Sequence, residues 1–369
     1  MLLPVLPVSA TAFGLDLAGA GALLALILIG SLLAELPSAR VIARIGERKA
    51  LITAGLAFGG FALLPAFQLG LWVLFLSAIG IGVTLALSGL ARHSLMTSYV
   101  PANQRARALA TLGGMFRTGW TAGPLLGSLM IGLFGLPASY VAAAVLATAS
   151  AVVLASYPQF KLRVERIVSA DGVWRVARAN RKALLTLGTA AGILQAARVI
   201  RLVGLPLLAV HLGLEPALAA FIIGAASLID VLLFPIGGWL MDRFGRIWGS
   251  VPTLLLLGFT YAFTPFIAGA EGFAIIATLA ALANSISSGV NMVLGSDLAP
   301  AESRAEFLAS FRLMTSVGTT LSPISLSLVT ALTGVPIAMA LVGSLNFIGV
   351  WLFTRYLPKF GLSKPRIDG

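Results

Sequence analysis

Residues 238–246 read Gly-Trp-Leu-Met-Asp-Arg-Phe-Gly-Arg, and they connect two apolar segments near residues 217–240 and 249–269. Each segment is long enough to cross the hydrocarbon core of a bilayer, which takes about 20 residues of helix. A short connection with one acidic residue and two arginines is typical of a loop between two spanning helices at the membrane surface.

The composition extends this pattern to the whole chain. Of its 369 residues, 59% are hydrophobic and 10% are charged, against roughly 25% charged residues in an ordinary soluble domain. A water-soluble globular protein is therefore excluded. Unbroken apolar runs such as residues 21–33 and 337–353 also exclude an outer-membrane barrel, whose strands alternate apolar and polar residues. We predict an all-α membrane protein with spans near residues 18–38, 50–68, 71–98, 108–133, 136–157, 183–210, 217–240, 249–269, 272–296, 308–332 and 335–354.

Basic residues concentrate in alternate loops between these spans. One set of loops carries Arg40, Arg44, Arg48, Lys49, Arg105, Arg107, Arg243, Arg246 and Arg304, whereas the opposite set carries no Lys or Arg. Cytoplasmic loops of membrane proteins are enriched in these residues. The net charge of +12 therefore indicates topology rather than nucleic-acid binding, and we expect the basic loops and the C-terminus to be cytoplasmic.

The sequence repeats itself at an offset of 199 residues without gaps. The offset superposes Pro7 on Pro206, Arg44 on Arg243, Gly46 on Gly245, Pro101 on Pro300, Arg105 on Arg304, Gly119 on Gly318 and Pro124 on Pro323. Such matches of Pro, Gly and Arg at one fixed offset indicate an internal duplication. We predict two six-helix transmembrane bundles, residues 1–157 and 183–369, joined by a basic cytoplasmic linker, residues 158–182. Two such repeats are typical of alternating-access carriers.

The first helix of this repeat is short. Residues 1–13 contain Pro4 and Pro7 and would cover only about 20 Å as a helix, less than the hydrocarbon core. The counterpart in the second half begins near Ala183, so we predict that the first helix is truncated at its N-terminus. A signal peptide is the alternative, although the segment lacks a basic n-region.

Residues 238–246 resemble G-x-L-x-D-R-x-G-R, a loop signature of the major facilitator superfamily of membrane transporters. The resemblance implies a gating role for Gly238, Asp242, Arg243, Gly245 and Arg246. The charged residues would latch the two halves in one state through charge-assisted contacts, and the glycines would let helix ends approach closely. The equivalent stretch in the first half keeps Arg44 and Gly46 but has Ala43 at the aspartate position. A latch of the family type would need Glu47 there.

Residues 119–128 read Gly-Trp-Thr-Ala-Gly-Pro-Leu-Leu-Gly-Ser and resemble G-x-x-x-G-P-x-x-G-G, a motif associated with antiporters of the same family. They differ from it only in the last residue. The resemblance implies a role in exchange, or in helix packing alone, for Gly119, Gly123, Pro124 and Gly127. The arginine of a further family motif is absent, with Leu76 near its place, so proton coupling by that residue is not implied.

Ionisable residues within spans are costly, so they normally face a cavity or one another. Here they are Glu35, Arg92, Arg117, Arg198, Arg201, Asp230 and Arg312, on helices that surround the pathway in the resembled fold. Helical spacing adds polar neighbours to them. The resulting candidates for substrate binding or coupling are Ser88, Arg92, Gln195, Arg198, Arg201, Asp230, Asn284 and Asn291.

Two questions about these candidates stay open at the sequence level. Arg198 and Arg201, next to an expected helix break at residues 204–206, either contact substrate or serve as ion-pair and carbonyl-capping groups. Asp230 either carries a proton or is a structural partner of an arginine. Asn284, Ser287, Ser288 and Asn291 are expected to share one face of the tenth span.

The sequence favours a secondary active transporter that works by alternating access. Because of the motif in the fifth span, proton-coupled efflux of a small amphipathic molecule is the leading hypothesis. Uptake or exchange of a small organic anion is the alternative, since five arginines within the spans outnumber two carboxylates. A membrane sensor without transport activity, or a lipid translocator, is a hypothesis of another class.

Catalytic chemistry is not indicated. The chain has no cysteine and two histidines and shows no P-loop, which disfavours a zinc enzyme and an ATP-driven pump. We expect no enzyme activity, no cofactor and no metal. The expected partners are a small-molecule substrate, a proton or other coupling ion, and the lipid bilayer, with no nucleic acid. We expect a monomer in the cytoplasmic (inner) membrane.

Overall fold

The computed structural model of the protein describes residues 2–99, 105–156, 170–287, 289–300 and 303–362. Within these ranges the chain is helical and contains no strand, as predicted. The helices are α1 (Leu6–Ala12), α2 (Leu17–Ile45), α3 (Glu47–Leu63), α4 (Leu71–Tyr99), α5 (Arg105–Phe134), α6 (Leu136–Ser156), α7 (Ala170–Ala179), α8 (Arg181–His211), α9 (Pro216–Phe244), α10 (Arg246–Ala262), α11 (Gly269–Ile286), α12 (Val290–Leu298), α13 (Arg304–Thr333) and α14 (Val335–Tyr356).

Ten helical segments among the described residues are long and apolar enough to cross a membrane. The helix α5 has 30 residues but is not one of the ten, and it carries Arg105, Arg107 and Arg117. Together, the ten segments and α5 occupy the eleven positions at which spans were predicted. The polytopic helical membrane fold is therefore confirmed.

The internal repeat is visible in the helix bounds. The pairs α2 and α9, α3 and α10, and α5 and α13 each begin and end 199 residues apart. The short helix α1 corresponds to the last seven residues of α8. The offset read from Pro, Gly and Arg matches is thus the offset of the helices themselves.

One pair of helices breaks this symmetry. The helix α4 is continuous, whereas its counterpart is divided into α11 and α12. Gly289 lies between the two with a φ of +79°, a left-handed conformation that glycine adopts without steric cost. The predicted tenth span is therefore interrupted, and Asn284 and Asn291 lie on separate helices. Ser288 lies outside the described residues.

The break predicted in the seventh span is also wrong. The helix α8 continues through Pro206 to His211, as membrane helices tolerate proline when neighbouring groups satisfy the freed backbone. Its irregular turn lies elsewhere, at Leu184–Gly188, which is π-helical. Turns of this kind occur frequently at functional sites.

The chain divides into two compact units. The first contains Met1–Arg166 and Gly213–Gly224, and the second contains Ile167–Leu212 and Ala225–Gly369. In the first unit α2 and α3 pack against α4, and α3 packs against α6. In the second unit α8 packs against α13 and α14, and α10 packs against α14. The amphipathic helix α7 packs against α13, and its Trp174 is exposed.

Candidate functional site

Polar side chains meet inside the second unit, at a group of residues called here the polar cluster. The helix α8 contributes Gln195, Arg198 and Arg201, α9 contributes Asp230, and the broken span contributes Asn284, Ser287 and Asn291. All but Ser287 were predicted as site residues. The helix spacing of α8 places its three members within two turns on one side.

Asp230 forms the acidic part of the polar cluster. Its side chain is buried, and the residue is only 7% exposed. The Arg201 guanidinium nitrogen Nη2 lies 3.5 Å from Asp230 Oδ2, and Asn284 Nδ2 donates a hydrogen bond of 2.6 Å to the same oxygen. The carboxylate lies about 18 Å along α9 from Asp242, deep within the span.

Arg198 caps the C-terminal end of α11. Its Nη2 donates hydrogen bonds to the carbonyl oxygen of Ser287 and to Ser287 Oγ, the latter at 2.7 Å. The last carbonyls of a helix have no intrahelical donor, and the negative end of the helix dipole favours a cation there. Of the roles predicted for Arg198, carbonyl capping is the one that this contact shows.

Gln195 and Asn291 form the second part of the polar cluster. Asn291 Nδ2 donates to Gln195 Oε1 and to the carbonyl oxygen of Ala191, both at 3.4 Å. Asn291 Oδ1 is buried and has no hydrogen-bond partner among the described residues. A buried acceptor without a partner is unfavourable, so this oxygen is suited to accept a hydrogen bond from a bound molecule.

The first unit holds the remaining predicted binding residues, Ser88 and Arg92. The Arg92 guanidinium lies 4.3 Å from the ring centroid of Phe116, in cation–π geometry. Its Nη2 lies 3.5 Å from Ser88 Oγ, and its buried Nε has no hydrogen-bond partner in the described part of the chain. The 199-residue offset pairs Arg92 with Asn291, and a role for both as corresponding cavity positions stays a prediction.

Within the gating motif, Arg246 makes an ion pair that the sequence did not predict. Arg246 Nε forms an ion pair of 2.9 Å with Asp297 Oδ2, and Arg246 Nη1 donates to the Met241 carbonyl at 3.3 Å. The Arg243 guanidinium lies over the ring of Trp239, 5.4 Å from its centroid. The side chain of Asp242 lies outside the described residues. Sequence reasoning missed Asp297, although it is one of only 13 acidic residues and directly precedes a basic loop.

The glycines of this motif have two different environments. Gly46 and Gly245 are the single residues between consecutive spans, with φ of +83° and +94° and ψ of 158° and 171°. Among the described residues, a Cβ at Gly46 or at Gly238 would meet no atom within 4 Å. Close approach of helices, the reason predicted for Gly238, stays a prediction, and at Gly46 the positive φ is what favours glycine. Arg44, which precedes that turn, is exposed.

The antiporter-like motif lies in α5, with Pro124 inside the helix. Ser128 Oγ, at the end of the motif, donates a hydrogen bond of 2.8 Å to the Ala217 carbonyl in the first turn of α9. Pro124 and Gly127 are buried and Gly123 is half-buried, whereas Gly119 is exposed and a Cβ there would meet no atom of the described residues within 4 Å. The second half of the motif is thus the buried part, and its role in exchange or in helix packing stays a prediction.

The fold and the polar cluster define a class: a multi-pass helical membrane protein built from a duplicated bundle with polar residues at the depth of the bilayer. A model of the Major Facilitator Superfamily matches residues 1–199 and again residues 187–367. The chain belongs to this superfamily, which confirms the resemblance read from the loop signature.

Known proteins resemble the chain in sequence over a short stretch and in structure over nearly its whole length. The Tetracycline resistance protein, class H, of Pasteurella multocida is 41% identical over 68 residues, which are 18% of this chain and 17% of that relative. A bacterial homolog of the human lysosomal transporter Spinster has a similar structure, with a TM-score of 0.79 and 15% identity over 98% of this chain and 94% of that one.

Two further solved structures share the fold. A D-xylose-proton symporter gives a TM-score of 0.70 at 16% identity, covering 95% of this chain and 92% of that one. A peptide transporter of the POT type in complex with sulfate gives 0.77 at 15% identity, covering 98% and 92%. At these identities the likeness shows the fold of a transporter.

Proposed function

We propose that the protein is a secondary active transporter that exports a small amphipathic molecule in exchange for protons. The observation that carries the proposal is the buried carboxylate of Asp230, held by Arg201 and Asn284. Intramembrane carboxylates of this kind serve as proton relays in transporters. We further propose that it acts as a monomer in the cytoplasmic membrane, with a cytoplasmic C-terminus.

The proposed coupling follows from the charges of the polar cluster. While Asp230 is ionised, it attracts Arg201 and accepts the hydrogen bond from Asn284. A proton bound to Asp230 removes the attraction to Arg201, and electrostatic changes are large where water is excluded. A transporter with two alternating conformations shifts toward the one that binds the proton more tightly. Arg201 and Asn284 would then be free to rearrange with the helices that carry them.

Two similarities support export of a drug-like molecule. The curated relative with 41% identity over 68 residues is a tetracycline resistance protein. The stretch around Gly123 and Pro124 resembles an antiporter motif of the family. Tetracycline is therefore the first probe for transport.

The test compares Asp230→Asn with the parent protein in proteoliposomes under an imposed pH gradient. The amide keeps the size of the carboxylate but does not take up a proton, so gradient-driven tetracycline transport should fall to the level of empty liposomes. Exchange of tetracycline without a gradient should survive. The matched control is Glu271→Gln, because Glu271 is an exposed carboxylate in the first turn of α11, and it should retain coupled transport. Coupled transport that persists in Asp230→Asn would remove Asp230 as the proton carrier.

A second candidate function is transport of a small organic anion. Within the polar cluster the two guanidinium groups of Arg198 and Arg201 outnumber the one carboxylate, that of Asp230, which leaves a net positive charge. Uptake of a carboxylated solute that depends on Arg198 and Arg92, with no movement of tetracycline, would favour this function over drug export.

A further inference from the structure

A cavity of about 240 Å³ lies between α8, α13 and α14, within the second unit. Its walls are mainly apolar and include Ile193, Ala196, Leu321 and Val342. Typical drug-sized sites occupy about 300–1,000 Å³, and an engineered cavity of about 150 Å³ binds benzene. The space therefore suits a molecule of one or two rings.

One polar side chain in this cavity lacks a partner. Asn346 of α14 lines the cavity and is only 1% exposed. Its amide Nδ2 is buried and makes no hydrogen bond to any described residue. The hydroxyls of Ser322 and Ser325, which also line the cavity, already donate to the carbonyls of Ala196 and Ser322. The amide of Asn346 is thus a donor that none of the described residues uses.

The cavity is separate from the polar cluster, although both involve α8. Ala196 lines the cavity, whereas Arg198 contacts Ser287 at the end of α11. Residues two positions apart on a helix are rotated by about 200° about its axis. The side chains of Ala196 and Arg198 therefore leave α8 in nearly opposite directions. The cavity also lies near the middle of its spans, since Ala196 and Asn346 are central in Arg181–His211 and Val335–Phe360.

We propose that this cavity binds a small apolar molecule that dissolves in the bilayer and carries one hydrogen-bond acceptor. The acceptor receives the hydrogen bond of Asn346 Nδ2, and the apolar part fills the space against Ile193 and Leu321. Burying an amide without a partner is unfavourable, and a ligand that supplies the acceptor removes that cost. Occupation of the cavity fills the space between α8, α13 and α14, so we expect it to stabilise the second unit.

The absence of cysteine from the chain allows a direct test. Ser325→Cys places the only thiol of the protein in the cavity wall, and its reaction with N-ethylmaleimide in reconstituted protein is followed by mass spectrometry. The probes are acetylnaphthalene, which has a carbonyl acceptor, and ethylnaphthalene, which has the same size and no acceptor. At about ten times its Kd, acetylnaphthalene should slow labelling about tenfold, because only the free fraction reacts. Ethylnaphthalene should protect more weakly at the same concentration.

Two variants control this test. Ser344→Cys lies on the exposed side of α14, and neither probe should change its labelling. In a Ser325→Cys protein that also carries Asn346→Leu, the preference for acetylnaphthalene over ethylnaphthalene should disappear. Equal protection at both cysteines, or a preference that survives Asn346→Leu, would overturn the proposal.

Thermal unfolding of the cysteine-free protein gives a second readout. Asn346→Leu should raise the unfolding midpoint of the free protein, because it removes the unpaired amide. Acetylnaphthalene should raise the midpoint of the parent protein more than ethylnaphthalene does, and this difference should vanish in Asn346→Leu. A lower midpoint for Asn346→Leu, or equal effects of the two probes on the parent protein, would contradict the assigned role of Asn346.

Discussion

Gly245 alone joins α9 to α10, and it does so with φ of +94° and ψ of 171°. This backbone region is essentially restricted to glycine, and other residues held there cost about 1–3 kcal/mol. We therefore expect Gly245→Ala to lower the free energy of unfolding by about 1–3 kcal/mol, measured by denaturant or thermal unfolding in detergent. Gly238→Ala is the control within the same motif. It lies in a helix, and no described atom lies within 4 Å of a Cβ there, so Gly238→Ala should be neutral or stabilise by about 0.5–1 kcal/mol. Similar losses in both variants would show that the φ of Gly245 is not what limits substitution.

The ion pair of Arg246 and Asp297 is a contact between residues that the loop signature alone does not predict. The loop signature names the arginine but not its partner, which lies 51 residues further along. The two side chains are 17% and 12% exposed, so their interaction is only partly screened by water. No spacing rule links positions so far apart, and only the fold of α9, α10 and α12 brings them together. Asn346 was missed for a similar reason, because a lone amide in an apolar run predicts nothing about its neighbours.

At the scale of helices, the two halves of the repeat use equivalent glycines differently. A Cβ at Gly318 of α13 would overlap the carbonyl oxygen of Gly192 in α8, whereas a Cβ at its counterpart Gly119 would meet no described atom within 4 Å. Overpacking of this kind typically costs about 1–3 kcal/mol, and here it meets backbone that cannot rotate away. Gly318→Ala should therefore lower the thermal stability of the purified protein clearly, while Gly119→Ala should not. If Gly119→Ala were the more damaging of the two, the close contact between α8 and α13 would not be what limits substitution at Gly318.

The positions of the helices were predictable from the sequence where a single kind of residue determines the structure. Apolar length alone located eleven spans, and the Gly, Pro and Arg matches gave the offset that the helix bounds follow. The interruption at Gly289 was not predictable in this way, because Ser287 and Gly289 fit an uninterrupted apolar span as well as a broken one. What distinguishes them is the Arg198 guanidinium at the end of α11, a tertiary contact. The opposite error occurred at Pro206, where the sequence predicted a helix break but α8 continues.

At the scale of the whole molecule, the arrangement of Lys and Arg makes a prediction about orientation that the helices alone do not. Because the chain has no cysteine, single cysteines can report the side of the membrane on which each loop lies. Leu69→Cys and Glu215→Cys replace exposed residues in loops without Lys or Arg, whereas Ala179→Cys replaces an exposed residue at the end of α7, within the basic linker. By the positive-inside rule, a membrane-impermeant maleimide should label the first two in intact cells and the third only after permeabilisation. Labelling of Ala179→Cys in intact cells, with the other two protected, would show that the topology is the opposite of the predicted one. The basic ends of the spans would then face outward, and proton-driven export through Asp230 would have to be reconsidered with the direction of the proton gradient reversed.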